Sequence, residues 1–437
     1  MSDNRIECSK FVLDSLEVEN FRKFACYQLQ LDSGLTVLVG DNAAGKSTLL
    51  DACAIAASSL LVKIENASSK AIETFDVRVN VTRQGSSFDR QLQFPCRVKA
   101  TGSFGGESLA WSRSRNTPKK SSMTSAAARS IIDKGMAMQA KVSEGDSGTV
   151  LPLVAYYGTS RLWSTTPKPL SESRSSFTSS RTKGYIGSMA SSVNERDMYA
   201  WFRKMTLWEL QHRKSSPELV AVTEAVARCL HGVQQSEYSE LTFDLERDEL
   251  VVARSGAEGR VLESLHSMSD GYRNTLSLVA DIAYRMATLN PALLDDVLET
   301  PGIIMIDEVD LHLHPLWQAR ILRDLRSTFP NVQFIVTTHA PVVVASVSRR
   351  HLRILGDSEA YCVAEETYGR DANAVLRIMG SGSRPSEIKE LFDEFYRALD
   401  GELYEKANSI LNQIEKKIGS DDTELVGART ALSLEWE

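Results

Sequence analysis

The stretch GDNAAGKST, residues 40–48, decides how the rest of the chain is read. Gly40 and Gly45 bracket Asp41, Asn42, Ala43 and Ala44, and Lys46, Ser47 and Thr48 follow, giving the G-x-x-x-x-G-K-S-T spacing of a phosphate-binding loop. Glycines let backbone N–H groups turn inward on phosphate oxygens, and a helix N-terminus adds the positive end of its dipole. Lys46 is placed to reach the β- and γ-phosphates of ATP, and the Ser47 hydroxyl to ligate Mg²⁺. The flanks suit the motif. LTVLVG before it is a short apolar strand, and STLLDACAIAASSLL after it carries apolar residues at helical spacing.

Working outward, LDSLEVENF and YQLQL read as strands separated by polar turns, and FDVRVNVTR and RQLQFPCRV as an antiparallel pair. TVLPLVAYYG is a buried strand, residues near 195–231 are helical, and LTFDLERDELVVAR is a hairpin turning at Arg247 and Asp248. PGIIMIDE and VQFIVTTH are continuous apolar runs, as expected of central parallel strands covered on both faces. The last fifty residues hold three amphipathic helical stretches, with one stripe of Leu391, Phe395 and Leu399 and another of Leu403, Ala407, Leu411 and Ile414.

Composition is that of an ordinary soluble globular protein, and the length favours two or three domains. No apolar run approaches the roughly 18 residues that a membrane span requires, so no membrane partner is expected. The N-terminus lacks a secretory pattern, and the six cysteines are scattered with no C-x-x-C pair, which points to reduced thiols and a cytoplasmic setting. The net charge of −7 argues against coating nucleic acid by bulk charge. Two local basic stretches stand out, Arg97 to Lys141 and Arg161 to Lys183. They are read as inserted or flexible segments with DNA or RNA as a possible ligand.

Three further elements complete a nucleotide site. In IIMIDEVD, Asp307 ends an apolar strand and is placed to hold Mg²⁺, and Glu308 to polarise the attacking water as general base. In FIVTTHAP, His339 follows another strand and can sense the γ-phosphate. In HSMSDGYRNTLSL, Ser269 and Gly271 open a long helix upstream of Asp307. His312 and His314 form an H-x-H without an apparent third ligand, so a metal is not expected there.

The Ser269–Gly271 segment resembles the signature loop of ATP-binding-cassette (ABC) ATPases, with Met268, Asp270 and Tyr272 departing from the usual L-S-G-G-Q. Asp310 then resembles the loop that runs along a cassette dimer interface. Together with LEVENFRKF, the motif order is similar to the chromosome-maintenance (SMC), Rad50 and RecF branch, which includes the overcoming-lysogenization-defect ATPases. The resemblance implies an α/β fold: an ABC-type P-loop ATPase head with a mixed, largely parallel sheet, an antiparallel β subdomain, a helical insertion and a C-terminal helical extension. Domains are expected at 1–100 and 261–370 for the two halves of the head, 101–260 for an inserted lobe and 371–437 for a partner-docking extension. The segment between Lys46 and Ser269 lacks the sustained heptads of a long coiled coil. LPLVAYYGTSRLW, GRDANAVL and SRPSEIKELFDEFYRALDGELYEKANSIL resemble the ATPase subunit of Septu-type and retron-associated antiphage systems.

That resemblance implies an ATPase using ATP and Mg²⁺ that forms a homodimer or higher oligomer. Lys46 and Ser47 of one copy would face Ser269 and Gly271 of the other, and a separate HNH-type nuclease would be the partner. The alternative is a RecF-like repair or replication ATPase that grips DNA directly. One departure concerns the Gln loop of cassettes: no Gln follows LVAYYGTSR, so Thr159 to Arg161 stand in its place.

Overall fold

The computed structural model describes residues 2–84, 87–119, 123–124, 126–159, 180–190, 195–231, 238–256, 259–380 and 385–436. The chain divides into two compact units, 1–371 and 372–437. In the first unit the central sheet has six strands in the order β16-β15-β3-β14-β13-β9. Five of them are β3 (Leu35–Val39), β9 (Leu153–Tyr157), β13 (Gly302–Ile306), β14 (Val332–Thr337) and β15 (Leu352–Leu355), all parallel to their neighbours. The sixth, β16 (Ala360–Tyr361), closes one edge antiparallel to β15. Every residue of β3, β9, β13 and β14 is buried, which explains why their sequences are apolar without alternation.

A second, antiparallel sheet runs β2-β1-β6-β7-β8. Its strands are β1 (Phe11–Phe21), β2 (Phe24–Gln30), β6 (Cys96–Phe104), β7 (Glu107–Arg115) and β8 (Met123–Thr124). Gly102 is required in β6: a Cβ there would lie 2.2 Å from the Val12 carbonyl oxygen, beside the register shift between Leu13 and Ser15. A hairpin of β4 (Val79–Gln84) and β5 (Ser87–Leu92) and a three-stranded sheet of β10 (Tyr238–Asp244), β11 (Glu249–Gly256) and β12 (Gly259–Ser264) complete the strands among the described residues.

Helix α2 (Lys46–Ala57) packs between the parallel and antiparallel sheets, touching β13 and β14 on one side and β1 and β6 on the other. It is buried nearly all round, and Ala52, Cys53, Ala54, Ala56 and Ala57 keep it slender enough to fit. The Trp111 indole N–H on β7 donates to its Ala56 carbonyl at 3.0 Å. On the other side of β9 lies α6 (Asp270–Leu289), also largely buried. At its centre Arg285 Nε donates to Asp281 Oδ2 at 2.7 Å, and the Tyr157 hydroxyl donates to the same oxygen at 2.8 Å. The two charged side chains are 3% and 0% exposed, so this is a fully buried ion pair. Burial opposes the guanidinium charge, yet Asp281 holds Arg285 above its ordinary value.

Much of the basic segment from Arg97 to Lys141 is built into the fold, while Lys119, Arg129 and Lys141 are exposed. Arg97 and Lys99 lie on β6 and pair across the sheet with Glu19 and Glu17 at 2.9 and 2.7 Å. Arg113 and Arg115 are buried on β7, and Arg115 donates to the carbonyls of Ile72 and Pro118. Lys134 on α3 (Arg129–Ser143) pairs with Glu107. The domain boundary expected at 100/101 falls inside β6. Most of the second basic stretch lies outside the described residues; from its end, Arg181 donates to the carbonyls of Thr149, Leu289 and Asp146.

In the second unit α11 (Ser386–Asp400), α12 (Tyr404–Ile418) and α13 (Thr423–Trp436) form their own core of Ile388, Phe392, Phe395, Ile410, Leu411, Ile414, Leu425 and Leu432. Leu403, read from the sequence as part of a buried stripe, is 56% exposed because it lies at the N-cap of α12, before the helical spacing begins.

Candidate nucleotide site

The phosphate loop joins β3 to α2, so residues 40–48 stand at the C-terminal edge of the parallel sheet, where ligands bind in open α/β sheets. Gly45 at the N-cap of α2 has φ +101 and carries no capping side chain, which leaves the first-turn N–H groups for an anion. Its lack of a side chain has a second cause: a Cβ would lie 2.5 Å from the Phe24 ring. The β1–β2 turn therefore lies on the loop, and Lys23 Nζ also donates to the Ala43 carbonyl at 2.7 Å.

Lys46 is buried and donates to the carbonyls of Gly40 and Asp41 at 2.8 and 3.0 Å. Burial pushes its ammonium below the ordinary value, against the pull of Asp307, Glu308, Asp41 and Asp310. Asp41, Asn42 and Ala43 are exposed, and Ala44 and Thr48 half-buried. The Ser47 hydroxyl donates to Asp307 Oδ1 at 3.0 Å. The sequence-predicted phosphate loop and the first carboxylate are thus in direct contact across 260 residues.

Asp307 follows β13 and is buried, with its N–H donating to the Tyr157 carbonyl at 2.8 Å. Thr337, at the end of β14, makes a bridge that sequence reasoning missed. Its hydroxyl donates to Asp307 Oδ1 at 2.6 Å and accepts the Glu308 N–H at 2.7 Å. Glu308 itself has φ +47, a left-handed conformation uncommon for a side chain other than glycine. One residue on, Thr338 donates to Asp310 Oδ1 at 2.5 Å and accepts the N–H of Ala340, holding the segment that carries half-buried His339. The only sequence signal for these bridges was the pair of hydroxyl residues before His339.

Ser269 and Asp270 are exposed at the start of α6. Gly271 backs onto the segment after Asp310: a Cβ would meet the His312 carbonyl oxygen at 2.5 Å. Tyr272 stacks edge-on against Trp317 at 4.8 Å. His312 has φ +62, and His314 accepts from the Leu316 N–H at the cap of α7 (Pro315–Gln318). Of Thr159 to Arg161, only Thr159 lies within the described residues.

A charge network flanks α2. Asp51 accepts from Arg22 at 2.8 Å and Lys70 at 2.6 Å, and Arg22 also holds Asp76 at 2.8 Å. Burial works to raise Asp51, but Lys70 and Arg22 outweigh it and hold the carboxyl below its ordinary value.

The fit to Mg²⁺ rests on the donor set: a serine hydroxyl and a buried carboxylate 3.0 Å apart, both hard oxygens, suit a divalent cation beside phosphate.

An AAA-domain family profile matches residues 15–248, more than half of the chain. A second, described as AAA domain, putative AbiEii toxin, Type IV TA system, matches residues 195–345. The retron Vc95 probable ATPase of Vibrio cholerae serotype O1 biovar El Tor is 24% identical over 430 residues, covering 87% of this chain and 81% of that protein. The retron Ec83 probable ATPase of Escherichia coli is 25% identical over 506 residues, covering 100% and 90%. The Septu protein PtuA of Bacillus thuringiensis is 31% identical over 153 residues, covering 32% of this chain and 38% of that protein. With the phosphate loop, paired carboxylates and parallel sheet in place, the chain belongs to the AAA-domain family and is similar to the probable ATPases of retrons Vc95 and Ec83 and to the Septu protein PtuA.

Proposed function

We propose that this chain binds and hydrolyses ATP between two copies of itself, and that nucleotide state controls a separate nuclease subunit in antiphage defence. The observation that carries the hydrolytic part is the hydroxyl-bridged cluster of Ser47, Asp307, Thr337 and Glu308. In this reading Lys46 leaves its own loop carbonyls for the phosphates. Ser47 and Asp307 would hold Mg²⁺, which would neutralise developing charge on the phosphates. Glu308, fixed through its N–H, orients the attacking water, and His339 faces the γ-phosphate. Ser269 and Gly271 of the second copy, exposed at a helix N-terminus, supply donors that close the site. Gly271 packs against His312, two residues after Asp310, so closure by the second copy would press on the segment that carries Asp310.

Retron and Septu relatives support a defence setting, and the self-contained C-terminal unit is suited to docking the partner. The pairing of Arg97, Lys99 and Lys134 and the burial of Arg113 and Arg115 leave fewer of this segment's charges for the DNA-gripping alternative. The test is Glu308→Gln, expressed with the flanking genes. The expected result is turnover down by about a hundredfold or more with ATP binding kept, an ATP-stabilised dimer in light scattering, and co-purification of a nuclease. A monomer in all nucleotide states, with turnover stimulated by DNA, would overturn it in favour of the repair reading.

A further inference from the structure

The other end of the parallel sheet also carries a cavity. The N-terminal ends of β3, β14 and β15 border a cavity of about 930 Å³, at the opposite edge from the phosphate loop. Its floor is apolar, with Leu35, Phe329 and Val347 buried beneath it. Its rim is cationic: Arg323, Arg326 and Arg350 all line it and all are exposed. Arg326 has no carboxylate partner among the described residues. The acids nearby are already engaged. Asp324 pairs with Arg320 and Arg323 at 3.5 Å, and Asp32 accepts from the N–H groups of Gly34 and Leu35.

His351 lies in the wall between the arginines. Its Nδ1–H donates to the Leu35 carbonyl at 3.2 Å, and its Nε2 accepts from Arg350 Nε at 3.1 Å, which is the neutral tautomer. Burial, and then Arg326 and Arg350, hold it below its ordinary value against the pull of Asp32. Asp32, whose Oδ2 lies 3.5 Å from His351 Nδ1, is the acid that faces this wall, and Arg326 and Arg350 are the rim cations left without a carboxylate at ion-pair distance among the described residues. Tyr368 stands at the mouth, 70% exposed, with its backbone N–H fixed by Glu366 at 3.2 Å.

The planar guanidinium fork matches the paired oxygens of an oxyanion such as phosphate, and two such groups can share the charge of one phosphate. An apolar floor with an exposed aromatic ring asks for a planar, uncharged body on the same ligand. The volume lies within the span of roughly 300–1,000 Å³ typical of small-ligand sites. We propose that this cavity binds a phosphorylated nucleoside, with its phosphate on Arg326 and Arg350 and its base against Tyr368. The ligand is either a free nucleotide or the end of a nucleic-acid strand. This site is separate from the phosphate loop and does not rest on the ATPase reading.

The test uses the full chain carrying Lys46→Ala, so that the phosphate loop contributes least. Fluorescence anisotropy is read with labelled AMP and with a 5′-phosphorylated oligothymidylate. Saturable binding of either probe is expected, weakened roughly tenfold or more by Arg326→Glu and, independently, by Arg350→Glu. ATP turnover of each charge-reversal variant with Lys46 intact is expected to match wild type, which shows that the fold is kept. Oligonucleotide binding that AMP does not displace assigns the ligand to a strand end, and AMP binding alone assigns it to a free nucleotide. No binding of either probe below millimolar, binding unchanged in both variants, or capture of hexaglutamate in preference to both probes would overturn the proposal.

Discussion

Replacing Thr337 with valine exchanges one hydroxyl for a methyl. The side chain is fully buried, so no cavity opens, and the methyl, which cannot hydrogen-bond, must ease away from Asp307 Oδ1 and the Glu308 N–H. Two bonds are lost. The 2.6 Å bond to Asp307 Oδ1 is charge-assisted and contributes roughly 1.5–3 kcal/mol. The Glu308 N–H, 2.7 Å from the hydroxyl, is left without that acceptor, at a cost of about 1–3 kcal/mol. Both terms share one atom and do not add fully, so the combined loss is about 2–4 kcal/mol. Thr337 has no bond to the phosphate loop except through Asp307, which keeps Ser47 at 3.0 Å. The loss should therefore fall on the placement of Glu308. If half of it appears in the barrier, kcat drops about tenfold, since each 1.36 kcal/mol is about a factor of ten. ATP affinity is expected to stay within about threefold, on the same reasoning that the phosphate contacts are untouched. Steady-state hydrolysis, nucleotide titration and a thermal melt read the three quantities, with Thr337→Ser as the variant that restores the hydroxyl. A Thr337→Val enzyme with wild-type turnover and an unshifted melt would refute the reasoning, because the bridge would then hold nothing.

Gly271→Ala drives a methyl against the His312 carbonyl, only 2.5 Å away, so the start of α6 must shift; ATP-dependent dimerisation measured by light scattering should fail while monomer nucleotide affinity is kept. Arg285→Met leaves Asp281 charged with no exposure, and the urea midpoint should report a loss of about 3–5 kcal/mol. The double change Asp281→Leu with Arg285→Met should recover much of it, since it removes the stranded charge. For Asp51, whose folded value is depressed, ionisation contributes stability that is complete above its ordinary 3.8 and is lost as pH falls through the lower folded value. The stability gap between wild type and Asp51→Asn should thus hold steady near neutrality and narrow below pH 3.8; a gap that widens on acidification would contradict the depressed value.

What the sequence made legible was what depends on near neighbours. GDNAAGKST carries its own turn and helix start, and IIMIDE carries its own strand end. The contact between Ser47 and Asp307 was inferable because both motifs point to one ligand. Thr337 and Thr338 were not, since their partners depend on β14 lying beside β13, a pairing between segments with no local signal. The β1–β2 turn was read only as an opening strand; that Phe24 and Lys23 lie on the phosphate loop follows from tertiary packing. The basic segment misled for a related reason. A count of charges does not show that Arg115 meets the carbonyls of residues 72 and 118, or that Arg97 and Lys99 face glutamates one strand away.

The slenderness of α2 has a consequence for how this protein can vary. A helix clasped by two sheets has no free side on which to accept a bulkier neighbour, and Ala52, Ala54, Ala56 and Ala57 are each at most 1% exposed. Any enlargement there would wedge the sheets apart and move the phosphate loop with them. A library saturating residues 46–57 should therefore return almost only small residues at these four places. The exposed β4–β5 hairpin, with Val79 and Val81 about half in solvent, should accept nearly anything polar. Mutational tolerance across the first unit is thus set by distance from one thin rod of alanine.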